Sequence, residues 1–167
     1  ARIENFDPKK TQLQFIEHLP NWGEHSGHIR LIVSPLRLKD RFEWLIEKAV
    51  ELGVNEIVPV SCQRTDKYKA KFKATRMETI ILTAVKQCTR SNIPTLHPIQ
   101  SLTDYLKEGP EGERYIAYVE AAEPLQSFHS QIVEASQINL LIGPEGDFTE
   151  GEVVWAEDHG YIRVSLG

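Results

Sequence analysis

Cysteine is scarce in this chain of 167 residues, which has only Cys62 and Cys88. They stand alone, with no CxxC spacing and no partner cluster. That excludes a disulfide framework and a cysteine zinc site, and it fits a reducing cytoplasm. The six histidines are scattered without HExxH or similar spacing, so no metal is expected. No stretch reaches the roughly 20 apolar residues that span a bilayer. No N-terminal segment couples a charged start to an apolar run, so export has no support. Neither a GxGxxG fingerprint nor a GxxxxGK[ST] phosphate loop occurs. Internal repeats and low-complexity tracts are absent too.

The material that is present suits a globular protein. Hydrophobic residues make up 41% and charged residues 26%, enough for one packed domain or a domain with part of another. The net charge of −5 hides an uneven distribution. Between Arg64 and Arg76 lie Arg64, Lys67, Lys69, Lys71, Lys73 and Arg76, opposed only by Asp66. This window nets +5 and leaves −10 for the remainder. It reads equally as a solvated loop or as a phosphate-contacting patch on an acidic body.

Residues 1–28 differ in character from the rest of the chain. Ala1 to Lys10 is polar, Leu13 and Phe15 alternate as in a strand, and Asn21-Trp22-Gly23 is turn chemistry. The segment reads as the last strands of a small β domain. From residue 29 strands and helices alternate, which predicts a largely parallel sheet covered on both faces, an α/β fold. Ile29 to Val33, Val54 to Val60, Tyr115 to Val119, Ile138 to Ile142 and Tyr161 to Leu166 read as strands, and Ile93 to Ile99 as an extended stretch. A helix is expected after Asp40, a candidate N-cap with Glu43 three residues on, and Gly53 ends it. Phe42, Leu45, Ile46, Ala49 and Val50 form its buried stripe. Met77, Ile80, Ile81, Ala84, Val85 and Cys88 repeat that spacing. A further helix is expected over 124–135. Thr149 with Glu152 forms a capping box before a short helix that Gly160 closes.

Ligands of such sheets bind outside the carboxyl ends of the strands. The turn Ile142-Gly143-Pro144-Glu145-Gly146-Asp147 follows the most apolar strand and leads into the capped helix. Its glycines permit close approach of a ligand to backbone, and Pro144 stiffens it. By composition alone it reads first as a plain strand–helix connection, with the ligand loop as the alternative.

Four segments settle the choice: Ile46-Glu47-Lys48-Ala49-Val50-Glu51-Leu52-Gly53-Val54, the Gln63-Arg64 pair, Ala84-Val85-Lys86-Gln87-Cys88-Thr89-Arg90 with Pro94 beyond it, and Gly143-Pro144-Glu145-Gly146. With the ending Val164-Ser165-Leu166-Gly167, they resemble, in order and spacing over 29–167, the RsmE family of 16S ribosomal RNA (uracil-N3) methyltransferases, within the SPOUT class. The resemblance implies a SPOUT-type trefoil-knotted methyltransferase domain over 29–167, truncated at the C-terminal knot. It makes 1–28 the end of a PUA-like RNA-binding β-barrel. It also implies a cytoplasmic homodimer that uses S-adenosyl-L-methionine and acts on 16S rRNA in the small ribosomal subunit. Two residues depart from the family. Asp147 stands where a third glycine is more frequent, and Lys86 stands where a glutamate is common.

Carried over residue by residue, the resemblance assigns cofactor binding to Ile142, Gly143, Pro144, Glu145, Gly146, Ser165, Leu166 and Gly167. It assigns catalysis near the target uridine to Arg64 and Arg90 and an RNA contact to Gln87, while the positive charge of the window makes Lys67, Lys69, Lys71 and Lys73 the expected RNA backbone contacts. Glu145 is expected to shape the site rather than react, and no residue stands out as a general base. Two other readings stay open: another SPOUT methyltransferase acting on transfer RNA or ribose 2′-OH, and a knotted RNA-binding module without catalysis.

Overall fold

The apolar stripes become two long helices and the continuous apolar runs become strands in the computed structural model, which describes residues 1–65, 72–121, 124, 127 and 136–166. The main sheet contains β3 (His28–Val33), β4 (Glu56–Ser61), β5 (Thr95–Leu96), β6 (Gln100–Ser101), β7 (Glu113–Ala117), β8 (Gln137–Ile142) and β9 (Ile162–Val164). Its order is β5-β4-β3-β8-β7-β9, with β6 also paired to β4. Every pairing described in this sheet is parallel. The chain leaves β3 toward β4 on one side and returns through β7, β8 and β9 on the other. The strand order therefore reverses at β3–β8, where open α/β sheets hold ligands.

Helices cover both faces, as the alternation predicts. Helices α1 (Lys39–Glu51) and α2 (Ala74–Gln87) pack Phe42, Ile46, Val50, Met77 and Ile81 against Leu31, Val33 and Ile57. On the other face, α3 (Leu102–Glu108) and α4 (Glu150–Asp158) pack Leu106, Val153 and Ala156 against Ile32, Val58, Ile116 and Leu141. Each large aliphatic side chain taken fully out of water here contributes about 1.5–3 kcal/mol before entropy is charged.

Three details differ from expectation. Helix α1 starts two residues early, with Leu38 at the N-cap and no side-chain cap. Asp40 lies in the first turn, where its charge complements the helix dipole. Glu43, freed from capping, accepts 2.7 Å from Arg76 Nη2 and so ties α1 to α2. Helix α3 falls where the sequence analysis places none: Ser101 Oγ accepts the Asp104 N–H at 3.1 Å, and Gly109 ends it with φ +59°. The capping box of α4 forms as expected, with Thr149 and Glu152 exchanging both bonds. The helix expected over 124–135 lies outside the described residues apart from Pro124 and Ser127.

The N-terminal segment holds an antiparallel pair, β1 (Arg2–Asn5) with β2 (Gln12–Gln14). Strand β1 lies in the stretch read as merely polar. The pair leaves Ile3, Phe6, Leu13 and Phe15 largely exposed. Contact with the main domain begins at Trp22, whose carbonyl accepts the Ser91 N–H at 3.1 Å, and continues through Glu24 and His25.

Candidate functional site

Parallel register puts the carboxyl ends of β3, β4, β7, β8 and β9 on one edge, and the loops leaving them meet there. A cleft of about 730 Å³ opens at this edge, within the size range of small-molecule sites. Ile142, Gly143, Pro144, Glu145, Gly146, Ser165 and Leu166 all line it, so two segments far apart in sequence form one wall. Ala117, Tyr118 and Val119, at the end of β7, complete it. Nothing in the residue types of this third segment marks it as part of a site.

The 143–147 turn is held from three sides. Glu145 Oε1 accepts the Arg37 N–H at 2.8 Å, which joins the turn to the β3–α1 loop. Asp147 Oδ2 accepts the Val119 N–H at 3.1 Å, which joins it to β7. Arg64 Nη1 donates to the Gly146 carbonyl and, at 3.4 Å, to that of Phe148. Arg64 is itself carried to the turn by a buried carboxylate. Glu152 Oε1 accepts the Gln63 N–H at 2.7 Å, while its Oε2 accepts from Thr149. The residue legible as a helix cap therefore also clamps the β4 loop.

The glycines serve packing rather than backbone freedom, since neither Gly143 nor Gly146 has positive φ. A Cβ at Gly143 would lie 2.9 Å from the Phe148 ring, and one at Gly146 would lie 3.4 Å from Arg64 Cδ. The left-handed position belongs to Asp147, with φ +60°. Aspartate tolerates that region because its carboxylate bonds locally. Here Oδ1 accepts the Phe148 N–H at 2.8 Å. The substitution of a frequent family glycine is thus accommodated by side-chain acceptors. The turn also suits a ligand rich in hydrogen-bond acceptors: among the described residues no protein group accepts the N–H of Gly143, Glu145 or Gly146. A nucleoside edge that offers acceptors fits these amides.

The other expected residues separate. Lys73 is exposed at the start of α2, on the cleft side of the sheet, because the helix runs back against the strand it follows. Lys67, Lys69, Lys71 and Gly167 lie outside the described residues. Gln87 lies exposed at the far end of α2. The helix is 14 residues long, a span of about 21 Å, and Gln87 lines a shallow groove between α1 and α2 instead.

Arg90 is a correction. Its side chain is 3% exposed, and its guanidinium donates to the Val50 and Val54 carbonyls at 2.9 and 2.8 Å and to Glu24 at 2.7 Å. It sits at the amino edge of the sheet and ties the N-terminal segment to the end of α1. With its donors committed to buried acceptors, it does not reach the cleft of its own chain.

At the same amino edge Glu56 accepts from Arg30 at 2.9 Å, His28 at 2.6 Å and His97 at 2.7 Å. Burial alone would raise its carboxyl, but these three donors outweigh it and hold the pKa down to about 2. Among the described residues no group of three or more His, Cys, Asp or Glu could hold a metal ion. No helix there is long and apolar enough to cross a membrane.

Comparison with known proteins bears on this edge directly. A family model described as an RNA methyltransferase domain matches residues 24–167. Ribosomal RNA small subunit methyltransferase E of Mesomycoplasma hyopneumoniae is 30% identical over 166 residues, covering 96% of this chain and 70% of the relative. The protein of that name from Bacillus subtilis is 28% identical over 146 residues, 81% of this chain. The chain spans 57% of that relative's length. Among solved structures, ribosomal RNA small subunit methyltransferase E of Neisseria gonorrhoeae, bound to S-adenosyl methionine, superposes with a TM-score of 0.77 at 31% identity, covering 86% of this chain and 59% of that one. A parallel sheet with a turn-walled cleft at its strand-order reversal, matched over nearly its whole length by these sequences and folds, places the chain in the RNA methyltransferase domain family, among the ribosomal RNA small subunit methyltransferases E.

Proposed function

We propose that the protein is an S-adenosyl-L-methionine-dependent methyltransferase that methylates N3 of a uridine in the 16S rRNA of the small ribosomal subunit. One observation carries this reading: the turn 142–147 and the stretch 165–166 form a single cleft in a chain of this family. The Neisseria gonorrhoeae relative, which has the same fold, is bound to S-adenosyl methionine. Ile142 to Gly146 with Ser165 and Leu166 would hold the cofactor, together with Gly167, which the family resemblance adds and which lies outside the described residues. When bound, the cofactor supplies an electrophilic methyl group on a sulfonium sulfur.

The chain's own residues do the rest. N3 is on the pairing edge, so the target uridine must be unpaired to be reached. Arg64, held against the turn through Nη1, keeps Nε and Nη2 without a protein acceptor among the described residues. Those donors favour the negative charge that develops on the uracil as its N3 proton leaves. The three-sided clamp on the turn supplies positioning, which alone accounts for several kcal/mol in well-oriented reactions. Lys67, Lys69, Lys71 and Lys73 would contact phosphates without reading sequence.

The reading also includes a trefoil knot through the C-terminal loops, a cytoplasmic location and a homodimer. In support of the homodimer, Val154 and Trp155 present an apolar face on α4, with Leu166 exposed at the cleft. It includes 1–28 as the end of a PUA-like barrel, whose interior would cover Ile3, Phe6, Leu13 and Phe15. The test is mass mapping of nucleosides after incubating small subunits with the protein and S-adenosylmethionine. The expected product is 3-methyluridine in 16S rRNA. A ribose-methylated nucleoside, a product in transfer RNA only, or no product refutes the assignment.

A further inference from the structure

Six of the nine arginines in this protein are occupied by the protein's own groups. Arg30 pairs with Glu56, Arg76 with Glu43, Arg90 with Glu24, and Arg163 with Glu150 and Glu157. Arg114 donates to the His159 carbonyl at 2.7 Å. Of the nine arginines, only the guanidinia of Arg2, Arg37 and Arg41 lack a partner among the described residues. Arg2 lies in the exposed hairpin, whereas Arg37 and Arg41 come together.

They line a hollow of about 530 Å³ with Leu38, Arg64, Glu145 and Gly146. Glu145 and Gly146 also wall the cofactor cleft. The hollow is therefore the reverse side of the same turn, and Arg64 crosses its rim. Three arginines line it against one carboxylate, and Glu145 already commits Oε1 to the Arg37 N–H. A folded protein that pairs six of its arginines yet leaves two together without partners among the described residues, beside a site for a polyanion, has kept donors for an external acceptor. Guanidinium is the group best shaped to take a phosphate through two parallel N–H bonds.

We propose that Arg37 and Arg41 bind RNA backbone phosphate next to the target uridine, and so seat that nucleotide against the turn from the side opposite the cofactor. This rests on the methyltransferase reading and adds to it a phosphate subsite distinct from the lysines of the basic window, meeting that window only at Arg64. Arg37 and Arg41 are positioning residues: they hold the strand, while Arg64 faces the base.

The test uses the full-length protein and the double variant Arg37→Gln/Arg41→Gln. Neither side chain has a partner among the described residues, so the fold should hold, and an unchanged thermal midpoint checks this. Binding to a fluorescent single-stranded fragment of ribosomal RNA, measured by anisotropy from low to moderate salt, should weaken about tenfold. The slope of log affinity against log salt should fall by about 1.4, the value for two lost single-strand phosphate contacts. Calorimetric affinity for S-adenosylmethionine should not change, and KM for RNA should rise more than kcat falls. Lys107→Gln, a charge loss on α3 at the other face, should leave all of these unchanged. RNA affinity and salt slope equal to the unsubstituted protein's overturn the proposal. A loss of S-adenosylmethionine affinity instead also overturns it, and gives the hollow to the cofactor's carboxylate. Failure of the unsubstituted protein to bind or methylate any RNA refutes the methyltransferase reading, and the phosphate subsite falls with it.

Discussion

Asp147 offers the sharpest perturbation, because one side chain carries both a backbone conformation and a contact between two walls of the cleft. At φ +60° a residue with a Cβ costs about 1–2 kcal/mol unless its side chain compensates. Asp147 compensates by accepting the Phe148 and Val119 N–H groups at 2.8 and 3.1 Å. Each such bond contributes about 0.5–1.5 kcal/mol net. Asp147→Ala loses both bonds and keeps the conformational cost, so the loss is about 2 kcal/mol, that of two such bonds. Asp147→Gly loses the same bonds but relieves the backbone, which limits the loss to about 1–2 kcal/mol. Asp147→Asn keeps one carbonyl acceptor and a residue at home in this region, so it should lose least. For a chain of this length 1 kcal/mol moves Tm by about 2–4 °C, which puts the alanine variant about 4–8 °C below the parent. Calorimetric scans should rank the four proteins Asp, Asn, Gly, Ala. Where the turn opens without global unfolding, the same ranking should appear in S-adenosylmethionine affinity. An alanine variant as stable as the parent, or a glycine variant less stable than alanine, would refute this account of the turn.

Two further outcomes are expected at the amino edge of the sheet. Arg90→Met strands Glu24, whose side chain is 5% exposed, and the Val50 and Val54 carbonyls; breaking a buried pair in this way costs about 3–5 kcal/mol. A large fall in Tm with unchanged S-adenosylmethionine affinity is expected, whereas a stable variant that fails only in methyl transfer would return Arg90 to the substrate. The second outcome concerns pH. Glu56 is held down to about 2, below its ordinary value near 4.5, so its stabilising contribution is complete above about pH 4.5 and is lost as pH falls through about 2. Glu56→Gln should flatten the acid side of the urea midpoint against pH between 5 and 2, and superimposable curves would show that Glu56 contributes nothing there.

Local signals in the sequence determined the local structure. The stripe of Phe42, Ile46 and Val50 specified α1 because a helix returns every third and fourth residue to one face. Thr149 and Glu152 announced α4 because a capping box is closed within four residues. The turn after the most apolar strand marked the cleft because strand ends are where parallel sheets keep ligands. Short α3 escaped notice although Ser101, Asp104 and Gly109 carry its caps, since seven residues offer too little periodicity to stand out. Whatever depends on chain crossings was settled only by the tertiary structure. Arg64 and Arg90 are the same residue type, each beside a basic or polar stretch, and both read as substrate contacts. Folding brings one to the turn at the carboxyl edge and buries the other at the amino edge, because α2 runs the length of the sheet between them. The second role of Glu152, its hold on Gln63 across 89 positions, has no local signature. Nor does the β7 end at 117–119, which joins the cleft only because β7 lies beside β8 in the sheet. Sequence spacing carries periodicity and caps; which distant loops share an edge is decided by strand order, and the site is made there.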